Sequence, residues 1–155
     1  MNREILFKGK TIKGGKWIEG SLIIDTRGNY YIGEYIPLNK DINIVSGRTQ
    51  GKTLNQFAGI GFAMVDPTTV CQFTGLTDKN GNKVFEGDVV KTKYGRVCRV
   101  TSICCEGYVG FDLDALETEH KMPTEYDLFA SRNIEVIGNI FDNKELLDKP
   151  TDDKV

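Results

Sequence analysis

The stretch that decides the fold is Gln72-Phe73-Thr74-Gly75-Leu76-Thr77-Asp78-Lys79-Asn80-Gly81-Asn82-Lys83-Val84-Phe85-Glu86-Gly87-Asp88-Val89-Val90. Asp78-Lys79-Asn80-Gly81 carries strong turn chemistry, because Asn and Gly tolerate positive φ. Glu86-Gly87-Asp88 is a second sharp turn, leading into Val89-Val90-Lys91-Thr92-Lys93-Tyr94. Gly95 turns the chain again into a run over 96–103. Strand, tight turn and strand at a spacing of roughly 8–12 residues is the pattern of a small antiparallel barrel or sandwich.

The same grammar extends to both sides. Upstream, Ile5 and Phe7 alternate with Glu4, Leu6 and Lys8; Gly14-Gly15 turns the chain, and a strand resumes over 16–24. Two short runs rich in aromatic and β-branched residues around glycines predict a hairpin. A turn at 25–29 leads to a strand over 30–36, which Pro37 and the residues to Asp41 break. A short strand is expected over 42–45, a polar loop over 46–55, and a strand over 56–65 despite Gly59 and Gly61, since two glycines disfavour a helix by about 1 kcal/mol each. At 66–70, Asp66 suits an N-cap and Pro67 the first position of a single helical turn. Downstream, 107–111 reads as a strand within an acidic segment, 106–128, in which Lys121 alone opposes the carboxylates. The rest of that segment is expected to be loop with at most a short helix around 113–119. A final strand over 134–141, a helical turn over 143–147 and a polar, disordered tail over 148–155 complete a mainly β chain with little helix.

A chain of 155 residues fits one compact domain or two very small ones. Twenty basic and 22 acidic residues leave a net charge of −2, so the whole-chain charge marks neither a nucleic-acid nor a membrane binder. No apolar run approaches the ~20 residues of a membrane helix. The start Met-Asn-Arg-Glu lacks the apolar stretch of a signal peptide, and the expected location is the cytoplasm.

The catalytic inventory is thin. The single histidine, His120, lies in Glu-Thr-Glu-His-Lys-Met-Pro, which reads as an exposed loop. Cys71, Cys98, Cys104 and Cys105 include no C-x-x-C pair, and the adjacent Cys104 and Cys105 would face opposite ways on a strand. They read as small apolar residues, neither disulfide-bonded nor metal-binding. No cofactor, metal site or catalytic residue is expected, and the chain is read as no enzyme.

Several motifs invite sharper claims. Gly47-Arg48-Thr49-Gln50-Gly51-Lys52-Thr53 has three residues between its glycines where a phosphate-binding loop needs four, and no helix follows. Gly59 and Gly61 lack the third glycine of a dinucleotide fingerprint and read as close packing at a bend. Asp112 and Asp114 share a strand parity that could chelate a cation, but solvated charges explain them. The local charge pattern says more. Arg3, Lys8, Lys10, Lys13 and Lys16 are opposed by Glu4 over the first 16 residues; Lys83, Lys91, Lys93, Arg96 and Arg99 face Glu86 and Asp88 over 83–101. Lys91 and Lys93 would project from one strand face, with Tyr94 and Trp17 available for base stacking. That makes Lys91, Lys93, Tyr94, Arg96, Arg99 and Trp17 a candidate nucleic-acid surface. Against it, Arg96 and Arg99 fall on opposite parities unless a bulge intervenes, and the acidic segment would repel phosphate. The plainer reading is a solvated outer sheet face.

The chain resembles the YopX family of small phage and prophage proteins. The resemblance rests on Arg3-Glu4-Ile5-Leu6-Phe7-Lys8-Gly9-Lys10, on Trp17-Ile18-Glu19-Gly20, on the block from Val65 to Gly81, on Val84-Phe85-Glu86-Gly87-Asp88-Val89-Val90, and on Ile134 to Asn143. These blocks cover nearly the whole chain, and Gln72-Phe73-Thr74-Gly75 with Asp78 to Gly81 is the most specific. The chain departs at Asn143-Lys144-Glu145, where the family pattern has proline before the glutamate. The resemblance implies a hairpin-rich region over 1–66 and a small SH3-like β-barrel over 67–147. It transfers no activity. Its motif residues Gln72, Phe73, Thr74, Gly75, Asp78, Gly81, Glu86, Gly87 and Asp88 would specify turns, the glycines by positive φ and the aspartates by side-chain-to-backbone hydrogen bonds. The expectation is a non-enzymatic phage or prophage accessory protein that binds, self-associating because its edge strands need covering. A host or phage protein, or nucleic acid, is the further partner expected, and membrane is not. An enzyme using carboxylates or a metal is the reading from another class.

Overall fold

Turns set by single residues divide the chain into short antiparallel strands. The fold is known from a computed structural model, which describes residues 4–33, 62–105, 108–116 and 133–147. It is mainly β, in antiparallel sheets, with helix among the described residues limited to the 3-10 turns Pro67–Thr69 and Lys144–Leu146 and to Asn133. Two compact units are distinguished, one spanning Ile5–Gln72 and the other made of Met1–Glu4 with Phe73–Val155.

The Ile5–Gln72 unit contains β1 (Phe7–Lys10), β2 (Trp17–Ile24), β3 (Tyr30–Gly33) and β4 (Phe62–Val65), each paired antiparallel with the next. The chain after β1 returns to the end of β4: Thr11 bridges Val65, the Ile12 amide donates to the Met64 carbonyl, and the Asp66 amide donates to the Lys10 carbonyl. The sheet therefore curls back on itself, with Ile32 and Val65 on one face and Tyr31 on the other; these three, Leu6 and Cys71 are buried. The expected helical turn at 66–70 is the 3-10 turn Pro67–Thr69, with Asp66 as its cap: Oδ1 accepts from the Thr68 amide at 2.9 Å. Thr69 Oγ1 accepts from the Lys10 amide at 2.9 Å and so ties this turn to β1.

The division between units falls inside a strand. In β5 (Cys71–Thr77), Cys71 and Gln72 pair with β1, whereas from Phe73 onward the strand pairs with β6 (Lys83–Phe85). The second unit also holds β7 (Asp88–Thr92), β8 (Val97–Cys105), β9 (Tyr108–Ala115) and β10 (Ile134–Asn139), in the order β10-β7-β8-β9. Its core is Val84, Val90, Cys98, Val100, Leu113 and Ile134, with Leu76, Phe111 and Val136 packed against it. Among the described residues this sheet is open: β9 and β10 are its edges. Where an SH3-like barrel is expected over 67–147, the described strands β7 to β10 form an open four-stranded sheet and no closed barrel.

Two local expectations are corrected. The helix expected around 113–119 is strand as far as Ala115, because β9 stays in register with β8 from Cys105–Tyr108 to Cys98–Ala115 and buries Leu113 opposite Val100. The strand expected over 89–94 stops at Thr92, so Lys93 and Tyr94 lie in a turn and not on a strand face with Lys91. The expectations for 34–61 (the continuation of the third strand, the short strand at 42–45, the polar loop and both glycine motifs), for 117–132 with His120, and for the tail 148–155 lie outside the described residues.

Candidate functional site

The motif residues occupy a run of turns. Gly75, Gly81 and Gly87 have φ of 86°, 86° and 77°. Thr74 Oγ1 donates to the Val84 carbonyl at 2.8 Å and accepts from the Leu76 amide at 3.2 Å. Asp88, 1% exposed, accepts from the Phe85 amide at 2.8 Å, and Glu86 accepts from the Ser102 hydroxyl at 2.6 Å. Phe73 stacks at a tilt on Phe85, with 5.4 Å between ring centroids, while Gln72 pairs with Phe7.

Asp78 is the hub. Its Oδ1 accepts from the amides of Asn80 and Asn82, both at 2.8 Å. Its Oδ2 accepts from the Asn82 side-chain amide at 3.2 Å and from the Val136 amide of β10 at 3.0 Å. Burial pushes the Asp78 carboxyl up, but the donors from Val136, Asn82 and Asn80 outweigh it and hold the group below its usual range. Alongside, the Lys79 amide donates to the Ile134 carbonyl, which brings the 78–82 turn beside β10.

This docking builds a basic recess. Lys91 on β7 stands opposite Glu135 on β10, and Lys79 Nζ reaches Glu135 Oε2 at 2.6 Å. That hydrogen bond, and the ammonium charge with it, pulls the Glu135 carboxyl below its ordinary value. At the end of β7 the Thr92 hydroxyl accepts from the Arg96 amide at 3.2 Å and Gly95 takes a φ of 85°, so the chain reverses with Lys93 and Tyr94 at the tip. Lys79, Lys91, Lys93, Gly95, Asn133 and Glu135 line a recess of about 350 Å³. Lys93 Nζ lies 4.8 Å from the Tyr94 ring centroid, and Tyr94 is 73% exposed.

The other expected residues sit elsewhere. Arg96 is exposed where the turn closes, while Arg99 is ion-paired to Asp114 across the β8–β9 pair at 2.6 Å. Asp112 accepts from the Leu113 amide at 2.7 Å. Trp17 belongs to the Ile5–Gln72 unit, where the Nζ atoms of Lys8 and Lys10 lie 5.2 and 5.4 Å from its ring centroid. Cys71 and Cys98 are buried and Cys104 is exposed, and none of the three is in a disulfide. Among the described residues no three His, Cys, Asp or Glu side chains cluster closely enough to hold a metal ion. No helix among them is long and apolar enough to cross a membrane. Sequence reasoning missed Lys79, which joins the recess through docking of the 78–82 turn on β10, and Asn133, which joins it through the β7–β10 pairing.

A second surface is the β8–β9 hairpin. Cross-strand pairs Val100–Leu113, Ser102–Phe111 and Cys104–Val109 share one face. Its apolar character outruns the core: Val100 and Leu113 are buried, Phe111 is half-buried, and Val109 is 82% exposed.

Among solved structures, the chain is similar to the crystal structure of protein EF1440 from Enterococcus faecalis, with a TM-score of 0.50 and 18% identity over 95% of this chain and 100% of that one. At that identity the likeness concerns the fold alone. No curated protein matches the chain. The family profile described as YopX protein matches residues 16–148, most of the length, and the chain belongs to the YopX family.

Proposed function

We propose that this chain is a phage- or prophage-encoded accessory protein of the host bacterial cytoplasm that acts by binding, without catalysis, and that it self-associates through β9. Family membership supports the genomic setting. The observation that carries self-association is the outer end of the β8–β9 hairpin: β9 is a sheet edge among the described residues, and Val109 on it is 82% exposed. An edge strand offers a row of backbone donors and acceptors, and a second copy can pair with it while covering the apolar side chain. Sedimentation equilibrium of the full chain tests this. The wild type should associate reversibly, and Val109→Asp should be monomeric, with a melting temperature matching that of the dilute, dissociated wild type, since the site is exposed. A wild type that stays monomeric at every concentration would remove self-association and leave a host or phage protein as the occupant of that edge.

Nucleic-acid binding is the second reading, favoured by the exposed Lys93–Tyr94 pair beside Lys91. Ammonium groups meet phosphates and an exposed ring can stack on a base. Titration of labelled single- and double-stranded DNA and RNA at two salt concentrations should show binding that weakens with salt. Absence of binding at low salt, where charge contacts are strongest, ends this reading.

A further inference from the structure

The recess between the 78–82 turn, the 92–96 turn and β10 has a composition that selects one kind of ligand. Three lysines, Lys79, Lys91 and Lys93, line one concavity of about 350 Å³, together with Asn133 and a single acidic residue, Glu135. Its carboxylate is already engaged by Lys79 at 2.6 Å. The backbone holds the frame: the Lys79 amide is fixed on the Ile134 carbonyl, the Thr92 amide on the Arg96 carbonyl and the Gly95 amide on the Thr92 carbonyl, at 3.0, 2.8 and 2.9 Å. Like charges held around one hollow repel each other, and an anion that enters relieves that repulsion. Tyr94, 73% exposed, follows Lys93 in the same turn.

We infer that this recess is a phosphate site, in which Lys91 and Lys93 bind the anion directly while the Lys79–Glu135 pair sets its strength. Glu135 acts as an attenuator: it offsets one of the three positive charges, so the site holds phosphate loosely. The phosphate can belong to a nucleic-acid strand or to a free oligophosphate. The inference deepens the nucleic-acid reading and rests on it only for that source.

Glu135→Gln distinguishes the idea from a structural effect, because a damaged protein does not gain affinity. Its ion pair is half-exposed, so the fold should tolerate the change. Inorganic pyrophosphate, titrated by calorimetry, and a labelled single-stranded oligonucleotide, followed by anisotropy at low salt, are the two probes. Glu135→Gln should tighten binding about threefold or more, and Lys91→Gln with Lys93→Gln should weaken it about tenfold and lower the salt slope for the single-stranded oligonucleotide by about 1.4. Pyrophosphate should displace the oligonucleotide. If the oligonucleotide binds but neither change alters its affinity, the recess is overturned while the nucleic-acid reading survives on another surface. If pyrophosphate binds with this mutational pattern and the oligonucleotide does not, the recess stands and the nucleic-acid reading falls. If neither probe binds wild type or Glu135→Gln, both are overturned.

Discussion

Two turns in this protein share one sequence pattern and one set of hydrogen bonds, yet differ in what depends on them. Asp25-Thr26-Arg27-Gly28-Asn29 joins β2 to β3, and Asp78-Lys79-Asn80-Gly81-Asn82 joins β5 to β6. In each, the Asp amide donates to the Asn carbonyl and the Gly amide to the Asp carbonyl, while Asp Oδ1 takes two further amides and Oδ2 takes the Asn side chain. The glycines have φ of 80° and 86°. This is a type I turn followed by a left-handed residue, which matches the twist of a hairpin. Asp25 has a further side-chain partner, Tyr31, but within its own hairpin; the difference is how far one acceptor reaches. Asp78 Oδ2 also receives the Val136 amide, 58 residues away, and Asp78 is 5% exposed. The same local device is a connector in one unit and a long-range clamp in the other.

The largest expected effect separates the aspartates. Asp78→Ala leaves the amides of Asn80, Asn82 and Val136 without their acceptor and should destabilise the chain by about 2–3 kcal/mol. Asp25→Ala breaks only contacts within its own hairpin and should cost clearly less. Urea denaturation of both variants checks this, and equal losses would mean that the β10 contact adds nothing.

A smaller effect is expected in acid. Both carboxyls sit below their ordinary value: at Asp25 the Asn29 side-chain and backbone donors outweigh burial, and at Asp78 burial is outweighed by backbone donors that include Val136. A carboxyl depressed in the folded state contributes stability that is present above its unfolded pKa of about 4 and is lost as pH falls through the folded value. Asp78→Asn removes that titration, so its stability should decline less steeply than the wild type's from about pH 5 downward. Parallel acid limbs would contradict the role given to this carboxylate.

The smallest contrast concerns the glycines. An added Cβ meets nothing within 4 Å at Gly28 or at Gly81, so Gly→Ala at either place carries only the cost of left-handed backbone, about 1–2 kcal/mol. The two losses should agree, while the aspartate losses should not. A larger loss at Gly81 would show that the clamp constrains the turn backbone too.

The pattern of what sequence reading reaches follows from this distinction. Turns were legible because their determinants lie within five residues: Gly14-Gly15, the Asp66 cap and the 78–82 turn all needed only local chemistry. β9 was read too short, although Leu113 alternating between Asp112 and Asp114 carried the signal of a half-buried strand. Lys93 was misplaced by treating 89–94 as one strand; Thr92 three residues before Gly95 repeats the Asp78–Gly81 spacing and marks a turn. The β7–β10 register and the docking of the 78–82 turn on β10 were not legible, since nothing within any of these segments names its partner. Lys79 and Asn133 therefore entered the recess unannounced.

The sheet order β10-β7-β8-β9 also has a meaning in time. β7, β8 and β9 follow one another as a simple meander, whereas pairing Thr92 of β7 with Ile134 of β10 joins strands distant in the chain and forms more slowly. Until β10 docks, the Asp78 carboxylate lacks its distant donor, the Val136 amide. The last strand thus acts as a latch: without it the C-terminal unit would be patterned but not locked.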